Sequence, residues 1–128
     1  MERIPLYAWV AAGGALGSVG RAWLGSVVFS LVGEHLPWGT LLINVLGSFV
    51  IGWFGALTDA GGRFDVHANM RVFVMVGICG GFTTFSAFSL QTLELLQMGA
   101  IVRAGLYILG SVVLCLLGVW LGVVLGRG

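Results

Sequence analysis

The chain has 128 residues, 59% of them hydrophobic and 9% charged, with 22 glycines, a mean hydropathy of +1.06 and a formal net charge of +1. A soluble domain carries about 25% charged residues, and a small one leaves too much of its surface in water to bury so large an apolar share, so the apolar residues must face lipid. Six arginines against five acidic residues, with no lysine, make no basic patch of the kind that binds nucleic acid, and no nucleic-acid partner is expected.

A transmembrane helix needs about 20 mostly apolar residues. The charges at Arg3, Arg21, Glu34, Asp59, Arg63, Asp65, Arg71, Glu94, Arg103 and Arg127 leave room for four such spans and not for a fifth. The expected fold is therefore an all-α membrane protein, one four-helix transmembrane domain over residues 1–128.

The first span is predicted from Pro5 to Leu31. Glu2 and Arg3 cancel in the n-region, and the apolar run continues past Arg21 without a small-residue cleavage site, so a retained helix is expected rather than a signal peptide. Gly13 and Gly17 form a stripe where another backbone can approach closely. Arg21 is costly inside a span; it is either functional or close enough to the interface for its side chain to reach water.

The second span is predicted from Trp38 to Leu57, after the short loop from Gly33 to Pro37. It carries Asn44, whose carboxamide offers two donors and an acceptor. Left unpaired in an apolar setting it would cost roughly 2–7 kcal/mol, so it either bonds another helix or meets a polar ligand. A polar stretch from Asp59 to Asn69 follows.

The third span, from about Val72 to Gln97, is the least ordinary. Gly77-Ile-Cys-Gly-Gly-Phe-Thr-Thr-Phe-Ser-Ala-Phe-Ser89 places three glycines and four hydroxyl residues at membrane depth. A broken helix is expected, and a break in hydrocarbon is tolerated only inside protein or beside an aqueous cavity. Freed carbonyls suit a hard cation such as Na+, and freed amides or hydroxyls suit a small anion. The other reading is a kinked helix whose Ser and Thr side chains bond back to their own carbonyls. Phe82, Phe85 and Phe88, three apart, are expected near one helical face. Their electropositive ring edges would give a passing anion weak contacts that do not trap it.

After a tight turn at Gly99, the fourth span is predicted from Ala104 to Leu125. Tyr107, Ser111 and Cys115 recur every four residues and share a face, as do Gly118, Gly122 and Gly126. With Asn44 and the third-span hydroxyls, Tyr107 and Ser111 complete a neutral, donor-rich set suited to an anion. Glu94 and Arg103 flank the turn and are expected at the interface. Cys79 and Cys115 lack the spacing of a redox or metal pair and read as buried thiols. His35 and His67 are isolated in loops, and no nucleophile stands with a histidine as catalysis requires, so nothing argues for an enzyme.

An even number of spans puts both termini on one side, together with Arg3, Arg63, Arg71 and Arg127, against Arg103 and Arg21 elsewhere. So modest a positive-inside bias permits insertion in both orientations, and hence antiparallel pairing of two copies. Four spans cannot be halved into an inverted repeat within one chain, whereas an antiparallel dimer supplies that inversion.

Three blocks, Gly13-Gly-Ala-Leu-Gly-Ser-Val-Gly-Arg21, Pro37-Trp-Gly-Thr-Leu-Leu-Ile-Asn-Val-Leu-Gly47 and Gly80-Gly-Phe-Thr-Thr-Phe-Ser-Ala-Phe-Ser89, occur in that order on a four-span chain. This pattern resembles the Fluc (CrcB) fluoride channels over the whole chain. The resemblance implies a dual-topology antiparallel homodimer in the bacterial inner membrane, passively exporting fluoride through two pores, with one central structural Na+. By that resemblance Asn44 is the pore asparagine, Phe85 and Phe88 line the fluoride path, and Tyr107 and Ser111 belong to its polar track. Gly80 and Thr83 match the residues whose backbone carbonyls, from both subunits, hold the Na+, and Arg21 matches the arginine near the aqueous vestibule. The chain departs from the usual pattern at Gln91, where many members have Glu, and at Cys115, where many have a second serine. Two other classes stay open: a small four-span drug exporter, which would need a carboxylate within the membrane that the first span lacks beyond Glu2, and a non-transporting structural subunit, which would not need the donor-rich third span.

Overall fold

The computed structural model describes residues 3–33 and 35–128; Glu2 and Glu34, counted among the charges above, lie outside the described residues. Four helical spans follow one another: α1 (Arg3–Val32), α2 (Trp38–Thr58), a third span over Ala68–Gln97, and a last one. The third is made of α3 (Ala68–Val72), a π-helical stretch (Phe73–Cys79), α4 (Gly80–Phe82) and α5 (Phe85–Gln97); α6 (Ile101–Arg127) is the last. All four spans are long and apolar enough to cross a bilayer, and the chain is a multi-pass membrane protein. The expected spans match the start of the second at Trp38 and the end of the third at Gln97, and differ from the observed ones by one to four residues at the other ends.

The connections are short because their turns are sharp. Gly33 and Gly99, each at φ +78°, take the left-handed conformation that lets the chain leave a helix without a β-carbon clash. Gly33 N–H closes on Phe29 O at 3.0 Å, and beyond α5 Gly99 N–H closes on Leu96 O at 3.0 Å and Ala100 N–H on Leu95 O at 2.9 Å.

Lipid gives apolar helices no hydrophobic reason to associate, so they must gain by close packing, and glycine is what lets them approach. The predicted stripes all meet partners. A β-carbon on Gly13 would lie 2.9 Å from Gly77 Cα, and one on Gly81 would lie 2.6 Å from Gly14 O, so α1 and the third span touch along their backbones. Gly122 and Gly126 do the same for α6 against α2, where a β-carbon on Gly126 would come within 2.7 Å of Trp53 O. The fold is thus two close pairs, α1 with the first half of the third span and α2 with α6.

The third span begins earlier than expected, at Ala68 rather than Val72, because His67 Nδ1 accepts the Asn69 N–H at 3.1 Å and caps the new helix. Arg71, which the sequence marked as a boundary, lies within that helix. Its guanidinium reaches across to the end of α2, donating from Nε to Thr58 Oγ1 at 3.0 Å and from Nη2 to Gly55 O at 3.2 Å. Asp59 Oδ1 stands 3.8 Å away. A cation at a helix C-terminus meets carbonyls that have no intrahelical donor, which is why the charge is tolerated there.

Candidate functional site

The third span breaks at Thr83 and Thr84, whose backbones are extended (ψ 157° and 117°) between α4 and α5. A break leaves carbonyls at the end of the first half and amides at the start of the second. Side chains from two other spans take up several of them. Asn44 on α2 receives the Thr84 N–H at Oδ1 (2.8 Å) and donates from Nδ2 to Thr84 O (3.1 Å), pairing with the backbone as a neighbouring strand would. Arg21 on α1 donates from Nε to Gly81 O at 3.1 Å, a charged cap on the end of α4. Thr83 Oγ1 donates to Cys79 O at 2.8 Å, and Thr84 Oγ1 accepts the Ala87 N–H at 3.1 Å as the N-cap of α5. Both sequence readings of the hydroxyls thus hold locally: the helix is broken, and Thr83 also bonds back to its own turn.

Two carbonyls lose their helical donors in this arrangement. The Thr84 N–H, which would close on Gly80 O in an unbroken helix, goes to Asn44, and the Ala87 N–H, which would close on Thr83 O, goes to the Thr84 hydroxyl. Gly80 is exposed, with open space where a β-carbon would stand.

Two cavities flank the break. A groove of about 330 Å³ is lined by Asn44, Gly80, Thr83, Phe85, Phe88 and Ser111, among others, and Cys79 and Cys115 also border it. A wider cleft of about 660 Å³ opens between α1, α2 and α5, with Arg21, Thr40, Gln91 and Glu94 on its walls. Thr84 lines both. Phe88, on the groove, lies with its ring centroid 5.1 Å from that of Tyr107, which bonds Gln91 on the cleft, and Phe85 lies 5.4 Å from Phe88.

The residues singled out from sequence fall into three groups. Asn44, Gly80, Thr83, Phe85, Phe88 and Ser111 converge on the groove, Arg21 on the cleft, and Tyr107 joins Phe88 of the one to Gln91 of the other. Ser111, 7% exposed, has a buried hydroxyl with no hydrogen-bond partner among the described residues. Tyr107, 2% exposed, spends its hydroxyl proton on Gln91 Oε1 at 2.9 Å. Phe85 is 78% exposed, an aromatic ring standing free on the outer face of the chain. The expectation for Phe82 is corrected: the extended pair Thr83–Thr84 takes it out of line with Phe85 and Phe88, and its ring packs instead towards Gly20 on α1 and Gly47 on α2. The thiols differ as well, Cys79 being buried but Cys115 only partly so. The sequence marked Arg71 only as a boundary charge, although an arginine just inside an apolar run was the signal that could have shown its contact with the end of α2.

A family model described as CrcB-like protein, Camphor Resistance (CrcB), matches residues 8–123. The chain belongs to the CrcB family. Among its relatives are proteins named fluoride-specific ion channel FluC from Methylocella silvestris, 58% identical over 91% of this chain and 88% of the relative, and from Opitutus terrae, 59% identical over 91% and 89%. A third of the same name, from Rhodospirillum rubrum, is 54% identical over 91% of this chain and 90% of its own. The CrcB family is one of ion channels and not of enzymes.

Proposed function

We propose that the chain is a fluoride channel of the bacterial inner membrane, passing the ion down its gradient. The observation that carries this reading is the groove beside the break. It sets the Ser111 hydroxyl, without a partner among the described residues, the Asn44 carboxamide and the rings of Phe85 and Phe88 around one space. Every group there is neutral, so an anion meets donors and ring edges that hold it weakly enough to let it leave. The name shared by the relatives supports fluoride as that anion.

The conducting form in this proposal is an antiparallel homodimer with two pores. Phe85 at 78% exposure, the bare Gly80 and the open groove all lie on the outer face, which a second copy would cover, and each copy brings one groove. The same symmetry accounts for a structural Na+. A hard cation takes about six oxygen ligands, and one chain offers Gly80 O and Thr83 O, released from helical pairing. Two chains double that number. The fit is therefore to a site shared across a two-fold axis, where Na+ would tie the two breaks together electrostatically. Arg21 stands in the cleft as the positive charge that draws anions towards the break, and Asn44 holds the break open.

The test is fluoride efflux from liposomes containing the purified protein, followed with a fluoride electrode, with chloride efflux as the control. Rapid fluoride release with little chloride leak is the expected result. No fluoride release from a folded dimer would defeat the reading and leave a structural subunit.

A further inference from the structure

At the end of α2 opposite the Arg21 cleft, where α2 and α6 stop and the third span starts, lies a separate cavity of about 500 Å³. Three arginines line it, Arg63 from the loop, Arg71 from α3 and Arg127 from the last turn of α6, against one carboxylate, Asp59. Only Arg71 is committed, through Nε to Thr58 Oγ1 and Nη2 to Gly55 O. Asp59, 71% exposed, stands 3.8 Å from it, beyond hydrogen-bond distance. Arg63 and Arg127 are exposed and make no hydrogen bond or ion pair among the described residues. The loop that carries Arg63 is nevertheless fixed. Gly62 N–H closes on Asp59 O at 2.7 Å and Phe64 N–H on Leu57 O at 2.9 Å, and a β-carbon on Gly62 would lie 2.6 Å from Leu57 O. The loop is thus folded down onto the end of α2, with Arg63 over the cavity. Deeper in, the wall turns apolar at Val123, one turn inside the end of α6, and at Met75, two turns inside the third span.

From this we infer that the cavity is a phosphate-binding site at the membrane surface, filled by the headgroup of an anionic phospholipid, with free phosphate as the other source of the same chemistry. Guanidinium groups match phosphate oxygens with paired N–H donors, and basic pockets between spans at a membrane surface take anionic headgroups. Helix ends alone account for Arg71, which bonds the last turn of α2, and for Arg127, which offsets the dipole of α6. They do not account for Arg63, which belongs to no helix and is brought over the cavity by its loop. The order of the wall, charge at the surface and apolar side chains one to two turns inside, is the order of a phospholipid. A free phosphate would satisfy the arginines and leave the space beside Met75 and Val123 unfilled, so the lipid is the favoured source. None of the four charged residues lines the groove or the Arg21 cleft, and the inference stands whichever ion the chain carries.

The full chain in neutral detergent, incubated with equimolar phosphatidylglycerol and phosphatidylcholine of the same acyl chains and passed through a sizing column, retains lipid that mass spectrometry can count. Phosphatidylglycerol should be retained over phosphatidylcholine by about tenfold. Arg63→Gln and Arg127→Gln should each lower that ratio about threefold, and the two together should bring it close to unity. Arg103→Gln removes an exposed arginine at the far end of α6, outside the cavity, and should leave the ratio unchanged. Should the double variant fail to elute as the wild type does, the single variants carry the same comparison. The second arm is equilibrium dialysis of lipid-free protein against radiolabelled inorganic phosphate. Uptake that needs Arg63 and Arg127, without enrichment of phosphatidylglycerol, would uphold the phosphate site and assign it to free phosphate. A wild type that neither prefers phosphatidylglycerol nor takes up phosphate would overturn the inference. So would a preference that Arg103→Gln lowers as much as Arg63→Gln does, since it would come from overall charge and not from this cavity.

Discussion

Where Gly52 on α2 faces Val119 and Gly122 and Gly126 on α6 face Phe49 and Trp53, backbone meets backbone. Gly52, Gly122 and Gly126 are all buried there, and each lies so close to a carbonyl of the facing helix that a β-carbon could not be added. At the third-span break the backbone is instead held off by side chains, Asn44 from one neighbour and Arg21 from another, and cavities remain on both sides. The first region spends every contact on packing. The second spends two polar side chains on keeping an unpaired stretch of chain in place, which packing alone does not require. The contrast sorts the molecule into a scaffold that substitutions destroy and a site that they silence.

The scaffold should show the largest effect. Gly122→Val would drive a branched side chain into Phe49 O and Trp53 N, both backbone atoms that cannot swing aside. Overpacking of this kind costs about 3 kcal/mol or more, and the expected outcome is loss of the monodisperse peak in size-exclusion chromatography in detergent. A well-folded Gly122→Val protein would show that the seam is looser than its geometry implies.

Asn44→Ala comes next, at the junction of the two regions. It strands both the N–H and the C=O of Thr84, each worth about 1–3 kcal/mol when left buried without a partner. Thermal unfolding in detergent should register a drop of about 2–6 kcal/mol, together with abolished efflux. Asn44→Asp keeps the acceptor for the Thr84 N–H and loses the donor to Thr84 O, so it should fall between wild type and alanine in stability.

Phe85→Ile should separate silence from collapse. A ring 78% exposed in the single chain supports little of its fold, and the unfolding midpoint should shift by no more than about 0.5 kcal/mol equivalent. An aliphatic side chain has no electropositive edge, so fluoride efflux should fall tenfold or more, roughly 1.4 kcal/mol in the barrier. Unchanged efflux from this variant would remove the aromatic step from the proposed path.

How much of this could be read in the sequence differs between the two regions for physical reasons. The spans were legible because the cost of a charge in hydrocarbon marks where helices end, and the glycine stripes because four-residue spacing returns to one face. The existence of the break was legible from three glycines and four hydroxyls at membrane depth, but not its position. Thr83 and Thr84 have no composition to set them apart from Ser86 and Ser89, and what places the gap there is Asn44, forty residues away. That long-range contact also turns Phe82 aside. The π-helical stretch Phe73–Cys79 was not foreseen, since it differs from an α-helix by one residue in hydrogen-bond register and not in composition. Arg71 was misread as a boundary because charge counting cannot see that a neighbouring helix ends where its side chain reaches.

The smallest effect is the most pointed. Ser111 carries a buried hydroxyl without a partner among the described residues, in the wall of the groove. An unpaired hydroxyl does not stabilise the fold, so Ser111→Ala should leave stability unchanged or raise it by up to about 1 kcal/mol. If the hydroxyl waits for an anion, the same variant should slow efflux about threefold, which is under about 1 kcal/mol in the barrier by the tenfold-per-1.4 rule and measurable with the electrode. A scaffold residue would lose stability before it lost flux. Ser111 should do the reverse, and a variant that is both less stable and unchanged in flux would place it with the α2–α6 seam rather than with the break.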